Sequence, residues 1–112
     1  MSDEQSQRAT CERYDATFTL AGEWINSGFA SQTSERRPIH GLRHPPTVDT
    51  TGWFIWCGEY SDANDFFKPI HTIHVTEMLP EIGSLLGLPA GYRFLVAQDH
   101  IDVWFDKALL TV

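Results

Sequence analysis

Gly52-Trp53-Phe54-Ile55-Trp56-Cys57-Gly58-Glu59 decides the fold of this chain. Five consecutive apolar residues, four of them aromatic or β-branched, stand between two glycines, which predicts a buried strand with turns at both ends. Trp53, Ile55 and Cys57 share one face of that strand and Phe54 and Trp56 the other. Both faces are apolar, so the strand is expected to be central in its sheet or covered on both sides. Two of the four tryptophans fall here, and the core is expected to assemble around them.

Beyond this strand, residues 58–67 carry Glu59, Asp62 and Asp65 with Ser61 and Asn64 between them, a turn-rich acidic loop. Phe66 and Phe67 then bring the chain back to the core. Val75, Met78, Leu79, Ile82, Leu85 and Leu86 keep a 3.6-residue period, which predicts an amphipathic helix. Pro80 either kinks it or opens a second helix, and Gly87 and Pro89 close it. Residues 92–97 and 101–106 alternate as two strands joined by Gln98-Asp99-His100, an antiparallel hairpin.

Before the central strand, Pro45 and Pro46 interrupt regular structure, and 39–51 reads as a rigid loop. Residues 31–37 read as a surface loop. Residues 17–29 read as a short extended piece leading into a helical turn. Residues 1–14 form a polar helix or tail, capped by Ser2 or Asp3 and docked by one edge. The expectation is a single α+β domain over 1–112, an antiparallel sheet with one or two packed helices.

Fifteen acidic side chains against eight basic ones give the 112-residue chain a net charge of −7. Such a field repels nucleic-acid phosphates and favours a basic partner, although acidic soluble proteins are common. The sequence has no apolar run of membrane-spanning length and no basic-then-apolar start, so neither a membrane nor an export signal is expected. Cys11 and Cys57 lack metal-type spacing and are expected to be reduced thiols in a cytoplasmic protein.

No catalytic signature emerges, and the chain is expected not to be an enzyme. His71 and His74 could share a helical turn with Glu77, but no third ligand stands at a fixed spacing; neither metal nor cofactor is expected. Asp99, His100, Asp102 and Asp106 crowd the last hairpin, where solvated acids are the commoner reading than acid–base chemistry. Cys57 lies in an apolar strand and reads as packing rather than as a thiol nucleophile beside His40 or His44. Gly87-Leu88-Pro89-Ala90-Gly91 follows a helix, so it offers a phosphate no helix N-terminus.

Five segments taken together carry a family likeness. They are Gly41-Leu42-Arg43-His44-Pro45-Pro46, the Gly52–Glu59 stretch, Asp65-Phe66-Phe67-Lys68-Pro69-Ile70-His71, Leu88-Pro89-Ala90-Gly91-Tyr92-Arg93-Phe94-Leu95 and Asp102-Val103-Trp104-Phe105-Asp106. In this order, and with Cys11-Glu12-Arg13-Tyr14 before them, they resemble the immunity-protein-33-like domain found in bacterial polymorphic-toxin neighbourhoods. Ala90 stands where that family's turn has a second proline. The resemblance implies a small cytoplasmic protein that binds a cognate toxin and blocks it, with no catalytic residues to carry over. An acidic surface would suit a basic toxin, a nuclease among the candidates. Glu59, Asp62, Asp65, Asp99 and Asp102 with Trp104 are the expected contacts. Two other readings stand beside it: a small-ligand or metal-binding protein using His40, His44, His71 and His74, and an interaction module unrelated to toxins.

Overall fold

The computed structural model describes residues 4–111, so the expected Ser2 or Asp3 cap lies outside the described residues. Helix α1 (Glu4–Arg13) is followed by strand β1 (Asn26–Phe29), a 3₁₀ turn (Ser31–Thr33), β2 (Ile39–Arg43), β3 (Thr50–Cys57) and β4 (Lys68–His71). Helix α2 (Thr72–Met78), a 3₁₀ helix (Pro80–Leu85), the hairpin β5 (Tyr92–Ala97) and β6 (His100–Phe105), and a last 3₁₀ turn (Lys107–Leu110) complete it. The six strands form one sheet in the order β4-β1-β3-β2-β5-β6. Every pairing is antiparallel except β1 with β3. The α+β architecture with packed helices is the expected one.

Strand β3 divides the molecule as its alternation foretells. Trp53, Ile55 and Cys57 join Phe29, Ile39, Phe94 and Val96 in the main core, against Cys11 of α1, Val75 of α2, and Leu79, Ile82, Leu85, Leu86 and Leu88. Phe54 and Trp56 look the other way, where a smaller cluster of Ala30, Trp56 and Phe66, with Leu42 and Phe67 against it, contains no residue of α1, α2 or the 3₁₀ helix after Pro80. The helices therefore cover one face of the sheet only. Pro80 starts a separate 3₁₀ helix after Leu79, the second of the two outcomes foreseen for it. Leu85 is buried at the helix–sheet junction, so Leu85→Ala is expected to cost about 2–5 kcal/mol in chemical denaturation.

Four expectations need correction. Residues 39–43 are not loop but β2, paired on both sides by β3 and β5. Its inward side chains are Ile39, Gly41 and Arg43, an inverted pattern in which a charge faces the core. Residues 26–29 are a strand, not a helical turn. Gly52 is no turn residue; it lies within β3 at φ +90°, where the β1 register slips and a bulge absorbs the extra residues. Finally, Met78 does not join the buried stripe of the helical period but is exposed. Helix α1 docks by one edge through buried Gln7 and Cys11, whose side chains donate to the carbonyls of Gly83 and Gly87.

Buried polar groups are tied into the sheet. Ser27 lies between the hydroxyls of Thr51 and Thr72 at 2.6 and 2.7 Å. Since the Thr72 hydroxyl donates to the Ile25 carbonyl, Ser27 must donate to Thr72 and accept from Thr51. One directed chain thus links β3, β1 and the start of α2, with every buried hydroxyl satisfied. Arg43 is the larger case. Nε donates to Thr51 O, Nη1 to Thr19 O, Leu86 O and Leu88 O, and Nη2 to Leu20 O. Among the described residues no carboxylate is paired with it, and burial pushes its guanidinium down to about 10, still charged at neutral pH.

Candidate functional site

The helix-free face is built from two transverse rows set by strand register. Trp56 pairs with His40, His40 with Leu95 and Leu95 with Asp102. One step along, Pro69, Gly28, Phe54, Leu42, Arg93 and Trp104 follow across all six strands. Side chains at paired positions stand on the same face, so Asp102 and Trp104 at one edge share a surface with the Trp56 and Phe54 rings at its centre.

Residues 58–67 fold back over this face. Tyr60 packs edge-on against Trp56 and Phe66, Phe67 meets Phe54, Trp56 and Phe66, and His40 stacks on Trp56 with ring centres 5.0 Å apart. Gly58 at φ +74° makes the reversal. The rings enclose a pocket of about 260 Å³ lined by Leu42, His44, Phe54, Trp56, Tyr60 and Phe67. A second depression of about 360 Å³ adjoins it across Phe54 and Phe67 and reaches Asp49 and Lys68.

The anticipated contact residues other than Asp99 distribute around this surface. Glu59, Asp62 and Asp65 are exposed on the loop after β3, whereas Asp99, exposed on the β5–β6 turn, borders a cleft on the helix side with Thr10, Arg13, Tyr14 and Leu85. Cys57, Ile39, Val96 and Ile101 are paired in sequence across the sheet, so both loops leave from the same end of it, two to three strand spacings or roughly 10–14 Å apart. Asp102 is paired with His100 at 3.0 Å. Trp104 is 42% exposed, and the Arg93 guanidinium lies 5.9 Å from its ring centre. Arg93 also bonds Asp106 at 3.0 Å, and that bond, then the Ala108 N–H, holds the Asp106 carboxyl below its usual value. Sequence reasoning missed Leu42, His40, Tyr60 and Arg93 on this surface. Its one available signal was the Phe54/Trp56 side of the central strand.

The four histidines do not form one set. His40 and His44 lie against Trp56 and Phe54, whereas His71 and His74 edge onto Trp24, and β1 and β3 stand between β2, which carries His40, and β4, which carries His71. Among the described residues no group of three or more His, Cys, Asp or Glu is placed to hold a metal ion. Both cysteines are buried and free, and burial pushes both thiols up, away from the thiolate a nucleophile needs. No helix among the described residues is long and apolar enough to cross a membrane.

Burial, and then the Arg93 charge, hold the His40 imidazole below its ordinary 6.5. The unfolded chain therefore takes up this proton first. Stability is full above pH 6.5 and falls as pH drops from there through the folded value. An NMR titration is expected to place the His40 midpoint below 6.5, and His40→Gln to remove that part of the acid sensitivity. A midpoint at or above 6.5 would contradict the burial of this ring beside the Arg93 charge.

A two-layer α+β protein with helices behind the sheet and an aromatic, acid-bordered surface in front is the class these features define. The family model described as Imm33-like domain matches residues 6–106. This chain belongs to the Imm33-like family. No curated protein and no solved structure matches it.

Proposed function

We propose that this chain is an immunity protein that binds a cognate protein toxin in the cytoplasm and blocks it by occupation, without chemistry of its own. The observation that carries the reading, beside family membership, is the helix-free face. It brings the exposed acids of the loop after β3, with Asp102 and the edge tryptophan, around partly buried rings, the composition of an interface with an aromatic centre and a charged rim. Glu59, Asp62, Asp65 and Asp102 serve as that rim and Trp104 as an edge anchor, while Asp99 stands apart on the helix side. A basic toxin, such as a nuclease, suits a chain of net charge −7.

Rim acids act mainly on encounter, because their field is screened over about 8–10 Å at physiological salt. Asp62→Lys together with Asp65→Lys is expected to slow association with the toxin about tenfold at low salt and to change dissociation much less. Stopped-flow mixing at two ionic strengths measures both. Association indifferent to salt and to charge reversal would remove electrostatic steering from this reading. Complete absence of a complex with the toxin encoded beside it would remove the reading itself.

A further inference from the structure

We propose that the pocket between Trp56, Phe54, Phe67 and Tyr60 receives an arginine side chain of a basic protein partner. The inference rests on the toxin-binding reading and names what the centre of that surface recognises.

The pocket is lined mainly by aromatic rings, with Tyr60 the most exposed of them and Trp56 at its buried base under His40. Four aromatic rings and His44 contribute to its walls, with Leu42 the sole aliphatic side chain among the lining residues. The rings are propped edge-to-face on one another, Phe54 on Phe67, Trp56 on Tyr60 and Trp56 on Phe67, at centroid separations of 5.2–6.0 Å. Such packing keeps a pocket open in the free protein, and aromatic faces attract cations through their quadrupole. The Nδ1 of His44 donates to the Leu109 carbonyl at 3.0 Å, so the neutral ring has Nε2 as a hydrogen-bond acceptor.

Charge selects the occupant. Residues 45–68, which supply most of the lining, contain Asp49, Glu59, Asp62 and Asp65 against the single base Lys68. Among the described residues none of these four carboxylates is in an ion pair, a state shared with Glu12, Asp15, Glu23, Glu35 and Asp99, whereas Glu4, Glu81 and Asp106 are each held by an arginine. Asp49 lines the adjoining depression, and Glu59 and Asp65 immediately precede Tyr60 and Phe66 in sequence. An apolar side chain would leave this acidic border unanswered. A guanidinium stacks flat on aromatic rings and has edge N–H groups left for carboxylates or for His44, which a lysine ammonium cannot do in one geometry.

The test uses the whole protein, two blocked tripeptides, Gly-Arg-Gly and Gly-citrulline-Gly, and the toxin. Citrulline keeps the planar shape and loses the charge. Titration followed by NMR is expected to shift the Trp56 indole N–H with the arginine peptide, with affinity at least fivefold weaker for citrulline, the span a desolvated cation–π contact allows being about 2- to 30-fold. Tyr60→Ala should abolish the shift and weaken toxin binding about tenfold, while Tyr60→Phe, which keeps the π face, should preserve both. Equal affinity for the two peptides, or toxin binding unchanged in Tyr60→Ala, overturns the arginine site and leaves toxin binding intact. A normal peptide response from a protein that binds no toxin instead retains the site and removes the toxin as its partner.

Discussion

Arg43→Met is expected to lower the unfolding free energy by about 3–5 kcal/mol, read as a lower denaturant midpoint with the slope unchanged. Methionine keeps much of the apolar stem but donates nothing. Of the five carbonyls that Arg43 gathers, Leu86 O retains the Trp53 indole N–H at 2.9 Å, and those of Thr19 and Leu20 lie in a part-buried setting. Thr51 O and Leu88 O lose a donor in a fully buried one, and each such loss costs about 1–3 kcal/mol. The guanidinium also lies 5.6 Å from the Trp53 ring centre. Arg43→Lys should fall between, since one ammonium cannot reach carbonyls contributed by β3, the 19–20 segment and the turn after the 3₁₀ helix at once. An unaltered midpoint for methionine would mean that these carbonyls are not held by Arg43 at all.

Gly52→Ala is the second large loss, about 3 kcal/mol or more. At φ +90° an L side chain is strained whatever the space. Here a Cβ would also overlap the His44 carbonyl oxygen, which is backbone and cannot swing aside. The His44 N–H donates to Gly52 O at 2.9 Å, so relief by separating the strands breaks the β2–β3 pairing at its end. Thermal unfolding measures the effect, with Gly22→Ala as the control, because there the nearest atom is the Ile25 side chain rather than backbone.

Both residues explain what the sequence hid. Strand β2 was illegible because its buried side is Ile39, Gly41 and Arg43. Hydrophobic alternation has no means of marking a glycine that makes room for the Phe94 ring or an arginine satisfied by carbonyls. Strand β1 was missed for a similar reason, its inward Ser27 being stabilised by a hydroxyl chain rather than by apolar contact. The first strand of the hairpin, the two faces of β3 and the stripe of Val75, Leu79, Ile82, Leu85 and Leu86 were readable because burial there follows side-chain hydrophobicity, which it does not at Met78, Ile101 or Phe105. For the candidate site, the acids could be seen as loop charges. Their common placement with Trp104 depends on β2 joining β3 to β5, the link that was misread.

The segments that carried the family resemblance are largely architectural. Gly41, Arg43, Gly52, Trp53, Gly58 and Gly91 each have a packing or backbone task. Gly91, at φ +95°, lies against the Phe105 ring. Phe54, Trp56, Phe67 and Trp104 belong to the same segments yet stand on the helix-free face. Partner recognition by that face can therefore be separated from folding by substituting its exposed members, Tyr60 and Trp104.

Under the proposed function, growth of a cell poisoned by a toxin that this chain is expected to neutralise is the most direct test of that face as the docking surface. The toxin is co-expressed with the wild-type chain, with Tyr60→Ala/Trp104→Ala, or with Leu20→Ala/Trp24→Ala, two exposed apolar residues outside that face. With all three proteins folded and equally abundant, rescue is expected from the wild type and the Leu20/Trp24 variant and not from the Tyr60/Trp104 variant. Full rescue by the Tyr60/Trp104 variant, or none by the wild type, would contradict it.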